Sequence, residues 1–180
     1  CEGEPDMKGR PRTLSILLRI TALLGCVTYG NGYAYDLRGF VFRGRTRFGS
    51  DAALPFLSIL EAPQTEDRTL VSAAELGRIS RDPWLLLIQG FAQQDPVNPT
   101  DAAYYLLAAV EHRLSRVIAI NGRSGQPADP DNYLLGRTIA NMQLRRGLVS
   151  GPREGISDHA FFYLPVVVDA PHDPTTPFAE

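Results

Sequence analysis

Asp101 to Ile120, DAAYYLLAAVEHRLSRVIAI, and Asp129 to Arg146, DPDNYLLGRTIANMQLRR, together decide how this chain is read. In the first run Ala103, Leu107, Val110, Leu114, Val117 and Ile118 recur at helical spacing, and Asn121-Gly122 supplies a stop. In the second, Asp129-Pro130 is a helix opening, Leu134, Leu135, Ile139 and Met142 form an inward set, and Gly147 closes the end. Only a short polar loop separates them, which predicts an antiparallel helix pair.

Working outward, the upstream chain reads the same way. Asp82-Pro83 opens a predicted helix carrying Trp84, Leu85, Ile88 and Phe91, and Ser50-Asp51 caps a short one through Leu60. Ser72-Ala73-Ala74-Glu75 has the layout of a capping box. Strand signals are fewer. Gly39 to Phe48, GFVFRGRTRF, alternates with a period of two, placing Phe40, Phe42, Thr46 and Phe48 on one face and Val41, Arg43, Arg45 and Arg47 on the other. Gly30-Asn31-Gly32 marks a turn before it. Ala160 to Val168, AFFYLPVVV, is a buried strand candidate that Pro165 pushes toward a sheet edge. The expected fold is α+β: a mainly helical core with an antiparallel helix pair and a small antiparallel β element.

Composition narrows the possible functions only modestly. The 180 residues suit one domain, and a net charge of −2 gives no global electrostatic case for nucleic acid. Both cysteines, Cys1 and Cys26, sit near the N-terminal end, so nothing after Cys26 can form a disulfide or thiolate metal site. Hydropathy adds one more signal. In Met7 to Cys26, MKGRPRTLSILLRITALLGC, a basic head with Lys8, Arg10 and Arg12 precedes an oily run that Arg19 interrupts. Leu23-Leu24-Gly25-Cys26 resembles the lipobox of bacterial lipoproteins. That resemblance covers about twenty residues of signal layout, and it implies export, lipidation of Cys26 and anchoring on the periplasmic side of the cell envelope. It implies no fold. The same residues, Thr13 to Cys26, also suit an amphipathic helix or buried strand of a cytoplasmic protein, and Cys1 is a second lipidation candidate. The chain is accordingly divided into residues 1–26 as signal or tether, 27–170 as one globular domain and 171–180 as a flexible tail.

The residues offer no catalytic constellation, cofactor loop or metal cluster. Glu111 and His112 are neighbours on a helix and point apart, and His112 falls off the core face. No two of His112, His159 and His172 have the spacing that would converge imidazoles on a metal. Phe40-Val41-Phe42-Arg43-Gly44 resembles the opening strand of mono-ADP-ribosyltransferase toxins. Their Ser-Thr-Ser strand and late Glu-x-Glu or Gln-x-Glu pair have no counterpart here, so the resemblance implies no activity.

Three function classes follow, each with a distinguishing observation. The first is an exported, membrane-tethered accessory or binding protein that meets a protein partner or envelope component. Its contact face would be Arg43, Arg45 and Arg47 with the Tyr33 and Tyr35 turn, seen as a shallow exposed patch. The second is a small enzyme or toxin-like effector assembled from distant residues such as Arg43, Glu111, His112 and His159. It requires a deep pocket holding a buried, perturbed ionisable group. The third is a structural subunit of a larger assembly. It requires an ordered N-terminal segment packed into the core or a neighbour.

Overall fold

The computed structural model of the chain describes residues 9–48, 53–62, 83–93, 95–152, 158–171 and 177–178. Among these, six strands form one sheet: β1 (Val41–Arg43), β2 (Phe56–Glu61), β3 (Pro83–Ala92), β4 (Asn141–Leu144), β5 (Leu148–Ser150) and β6 (Ala160–Asp169). The strand order is β1-β2-β3-β6-β4, with β5 also paired to β6. Only β1 and β2 run parallel. Two long helices, α1 (Arg12–Gly25) and α2 (Asp101–Ser115), supply the helical part of the core. The fold is therefore a sheet-dominated α+β arrangement, and the predicted mainly helical core is overturned.

The largest correction falls on Pro83–Ala92, predicted as a helix and found as β3, the central strand. Its register joins it to β2 on one side and to all ten residues of β6 on the other. A proline is as acceptable in the first residue of a strand as in the first turn of a helix. A run as apolar as Trp-Leu-Leu-Leu-Ile carries no period that separates the two. Packing then decides. Gly90 lies against Phe162 of β6, so closely that a Cβ there would overlap the edge of the ring. The Ser50–Leu60 helix is likewise replaced by β2 from Phe56 onward.

The predicted helix pair also fails. After α2 the chain passes through turns and an Ile120–Pro127 bridge, reverses in a tight turn at Leu134–Arg137 and enters β4 at Asn141. Leu134, Leu135, Gly136 and Arg137 have φ of 49°, 52°, 69° and 65°, a left-handed turn that no right-handed helix from Asp129 can include. Burial of Leu135 and a hydrogen bond from Leu134 N–H to Val117 O (2.9 Å) hold it in place.

Pro165 does not put β6 at an edge. Its carbonyl accepts from Arg145 N–H at 3.0 Å, and a residue's N and O point to the same side of a strand. The missing donor therefore faces the break between β4 and β5, where no ladder bond is required. In the Gly39–Phe48 stretch, strand geometry ends at Arg43, because Gly44 turns the chain with φ of 64°.

One sheet face, carrying Leu57, Ile59, Leu86, Ile88, Phe162, Leu164, Val166 and Val168, packs under the helices. The other carries a row of aromatics in which Phe56 contacts Phe48 at 4.1 Å and Phe91 at 4.7 Å between ring centres. The N-terminal segment is part of the first layer. Ile16, Leu17, Ile20, Leu23 and Leu24 are buried at the spacing of one helical face, while Leu14 points outward. Cys26 is 7% exposed, and Cys26 N–H and Val27 N–H close the helix onto Leu23 O and Leu24 O. No helix among the described residues is long and apolar enough to cross a membrane. The Ser72–Glu75 capping box, Cys1, His172 and most of the 171–180 tail lie outside the described residues.

Candidate functional site

The C-terminal ends of α1 and α2 meet beside a broad open cleft of about 1240 Å³. Each helix end presents unpaired carbonyls and a partial negative charge, which draws cations. Arg113 responds directly. Its Nε–H donates to Leu23 O at 3.2 Å, and its Nη1 pairs with Asp129 Oδ2 at 3.3 Å. Arg116 approaches the same carboxylate at 3.8 Å but keeps 44% of its side chain exposed. Asn132 supports Asp129 from the other side, donating to Oδ1 at 3.0 Å.

Further charge comes from two other elements. Arg19, on α1, lines the cleft with its guanidinium against Gly136 of the left-handed turn, and Arg38 lies on the loop before β1. Four guanidinium groups thus face one cleft whose own lining acid is Asp131, with Asp129 bound to two of them. Against a whole-chain charge of −2, this is a local concentration of positive charge. The short 3₁₀ turn Tyr29–Asn31 forms another wall. It is fixed by Asn31 Nδ2 donating to Cys26 O at 2.7 Å and is closed by Gly32 at φ 81°.

The sequence-predicted residues distribute unevenly. Tyr33 belongs to this cleft, where its hydroxyl and His112 Nδ1 share a hydrogen bond of 3.2 Å. Tyr35 sits apart and is structural: its hydroxyl donates to Ala102 O at 3.0 Å, tying the loop to the first turn of α2. Burial raises the phenol above its ordinary range, with Tyr105 and Tyr29 adding to the effect. Arg43, Arg45 and Arg47 do not form one stripe. Arg43 ends β1 beside a smaller recess near Leu17 and Glu61. Arg45 instead stacks over the rings of Phe42 and Phe48 at 4.9 and 4.7 Å, on the aromatic side of the sheet, and donates to Arg47 O.

Of the residues weighed for an assembled active site, only His112 lines the cleft; Glu111, His159 and Arg43 do not. His159 stands just before β6. Among the described residues no three His, Cys, Asp or Glu side chains converge as a metal-binding group. Sequence reasoning missed Arg19, Arg38, Arg113 and Arg116 as a group because they come from three separate elements. The one local signal was Arg19, an unexplained cation inside an oily run. Compared with known proteins, the sequence matches no family and no curated protein.

Proposed function

We propose that this protein is a structural subunit of a larger assembly, with its N-terminal helix as permanent architecture. The seat of α1 carries the reading. Five of its apolar residues are buried in the same cluster as Leu86, Ile88 and Leu106. At about 1.5–3 kcal/mol for each buried aliphatic side chain, they supply roughly 8–15 kcal/mol of gross burial. That matches the whole net stability of an ordinary domain, about 5–15 kcal/mol. A tethered protein beginning at Cys26 would have to fold without them.

The surface supports the same reading. Tyr104 and Tyr105 are both exposed on α2, as are Val97 on the loop before it and Leu148 on β5 beside its N-terminal half. Large apolar and tyrosine side chains held on rigid elements are the usual material of interface cores. The cationic cleft favours a second reading, a binding domain for an anionic partner, and the two are compatible if that partner is another subunit.

The experiment is intact-mass measurement of the protein from its native source, paired with light scattering of the purified chain. The subunit reading expects residues 12–25 to be retained and the protein to associate in solution. A mass beginning at a lipidated Cys26 would restore the tethered protein and end this proposal.

A further inference from the structure

The two ends of α2 carry opposite charge, and we infer that they are the two halves of a head-to-tail contact between copies of this chain. The inference rests on the subunit reading and names the partner. α2 spans fifteen residues, about 22 Å at 1.5 Å per residue, which separates the two ends well beyond a Debye length at physiological salt. At the C-terminal end lies the cleft with its excess of guanidinium groups, and beside it Tyr29, 67% exposed.

At the N-terminal end the chemistry reverses. Asp101 opens α2, and Asp95 stands exposed just before it. Asp158, also exposed, is brought to the same end because Ala160 pairs with Ala92 in the register of β6 on β3. Hydrogen bonds from Asn98 N–H and Val97 N–H hold the Asp95 carboxylate and lower its pKa, keeping it charged. Among the described residues, 93–104, 147–152 and 158–161 contain three aspartates and no arginine or lysine. Apolar surface accompanies this charge as well: Val97 is 83% exposed and Leu148 66%. Leu148 lies along the N-terminal half of α2, because Gly147 faces Leu107 at mid-helix and Gly151 faces Thr100 at the start.

Each end therefore offers what the other lacks. An exposed end of carboxylates with apolar side chains meets an open cleft of guanidinium groups with an exposed tyrosine next to its Gly30–Asn31 wall. Arg–carboxylate pairing supplies orientation, and burial of Val97 and Leu148 supplies attraction. Because the two surfaces differ, the contact is heterologous: it propagates from copy to copy and closes as a ring if the rotation permits.

Two charge-reversed chains test this by sedimentation velocity, with circular dichroism confirming that each is folded. One carries Asp95→Lys, Asp101→Lys and Asp158→Lys; the other carries Arg38→Glu and Arg116→Glu. Arg38→Ser with Arg116→Ser serves if the glutamates disturb Asp129. The wild-type chain is expected to associate, less so as ionic strength rises from about 0.1 to about 0.5 M. Each reversed chain alone is expected to lose association at least about tenfold, and an equimolar mixture of the two to recover a 1:1 complex. Recovery on mixing shows that the acidic end meets the basic cleft; wild-type species larger than a dimer mark head-to-tail propagation, and a wild type that stops at a dimer marks a reciprocal two-fold contact and overturns it. A wild-type chain that associates and is indifferent to both sets of substitutions overturns the head-to-tail contact while leaving the subunit reading intact. A wild-type chain that stays monomeric at all accessible concentrations overturns both.

Discussion

Replacing Leu24 by alanine is the sharpest small perturbation of the N-terminal helix. Leu24 is 0% exposed and lies in the core cluster with Val27, Leu37 and Leu114. Truncating a fully buried leucine removes its transfer free energy and leaves a cavity, together costing about 2–5 kcal/mol. For a chain of 150–250 residues each kcal/mol lowers Tm by roughly 2–4 °C, so the expected drop is about 4–20 °C. Leu14, on the same helix but 39% exposed, provides the internal control. Leu14→Ala removes little buried area and should change stability by less than about 1 kcal/mol. Differential scanning calorimetry of both variants reads the contrast directly. If Leu24→Ala melts within a degree of the wild type, or if the two variants fall equally, α1 is not seated in the core and the reasoning fails.

The sheet and its turns give further expectations. Gly90→Ala places a methyl over the edge of the Phe162 ring and 2.9 Å from Leu57 Cδ2, so urea unfolding should show a loss at or above the upper end of the roughly 1–3 kcal/mol typical of overpacking. Arg137 is exposed with φ 65°, where glycine is free of the left-handed penalty; Arg137→Gly should stabilise by about 1 kcal/mol in the same assay. Tyr35→Phe should cost about 1 kcal/mol near neutral pH by removing the phenol's hydrogen bond to Ala102 O, which then keeps only its helical donor. Its pH dependence is also informative. The folded-state pKa of Tyr35 is raised above 10.0, so its contribution is fully present below the unfolded value and is lost as pH climbs through the folded one. Alkaline denaturation should therefore be shallower in Tyr35→Phe than in the wild type, and an identical alkaline limb would count against a buried phenol.

How much of this was legible in the sequence depends on which physical signal each segment carried. α2 was readable because Ala103, Leu107, Val110 and Leu114 bury one stripe and leave Tyr104, Tyr105 and His112 outside. β3 was not, because Leu86 and Ile88 face the helices while Leu85 and Leu87 occupy the other side of the sheet, and apolar residues on both faces erase the alternation. The Asp129–Arg146 segment misled for a different reason. Its apolar spacing was compatible with a helix, yet four consecutive left-handed residues reverse the chain, and nothing in Leu-Leu-Gly-Arg apart from the glycine announces that conformation.

The cleft was even less visible. Arg19, Arg38, Arg113 and Arg116 are separated by up to 97 positions and meet because two helix C-termini end at one place. Only the fold could bring them together. As sequence Arg19 was a flaw in an oily run, and in the structure it is the charged residue that α1 brings to the cleft.

Without α1 the domain is expected not to fold. Residues 26–180, expressed alone and examined by near-ultraviolet circular dichroism and thermal unfolding, measure this directly. The prediction is a chain without fixed aromatic signals and without a cooperative transition, because the burial supplied by Ile16, Leu17, Ile20, Leu23 and Leu24 is gone. A shortened chain that melts cooperatively near the full-length temperature would contradict it and would show that the N-terminal helix is dispensable.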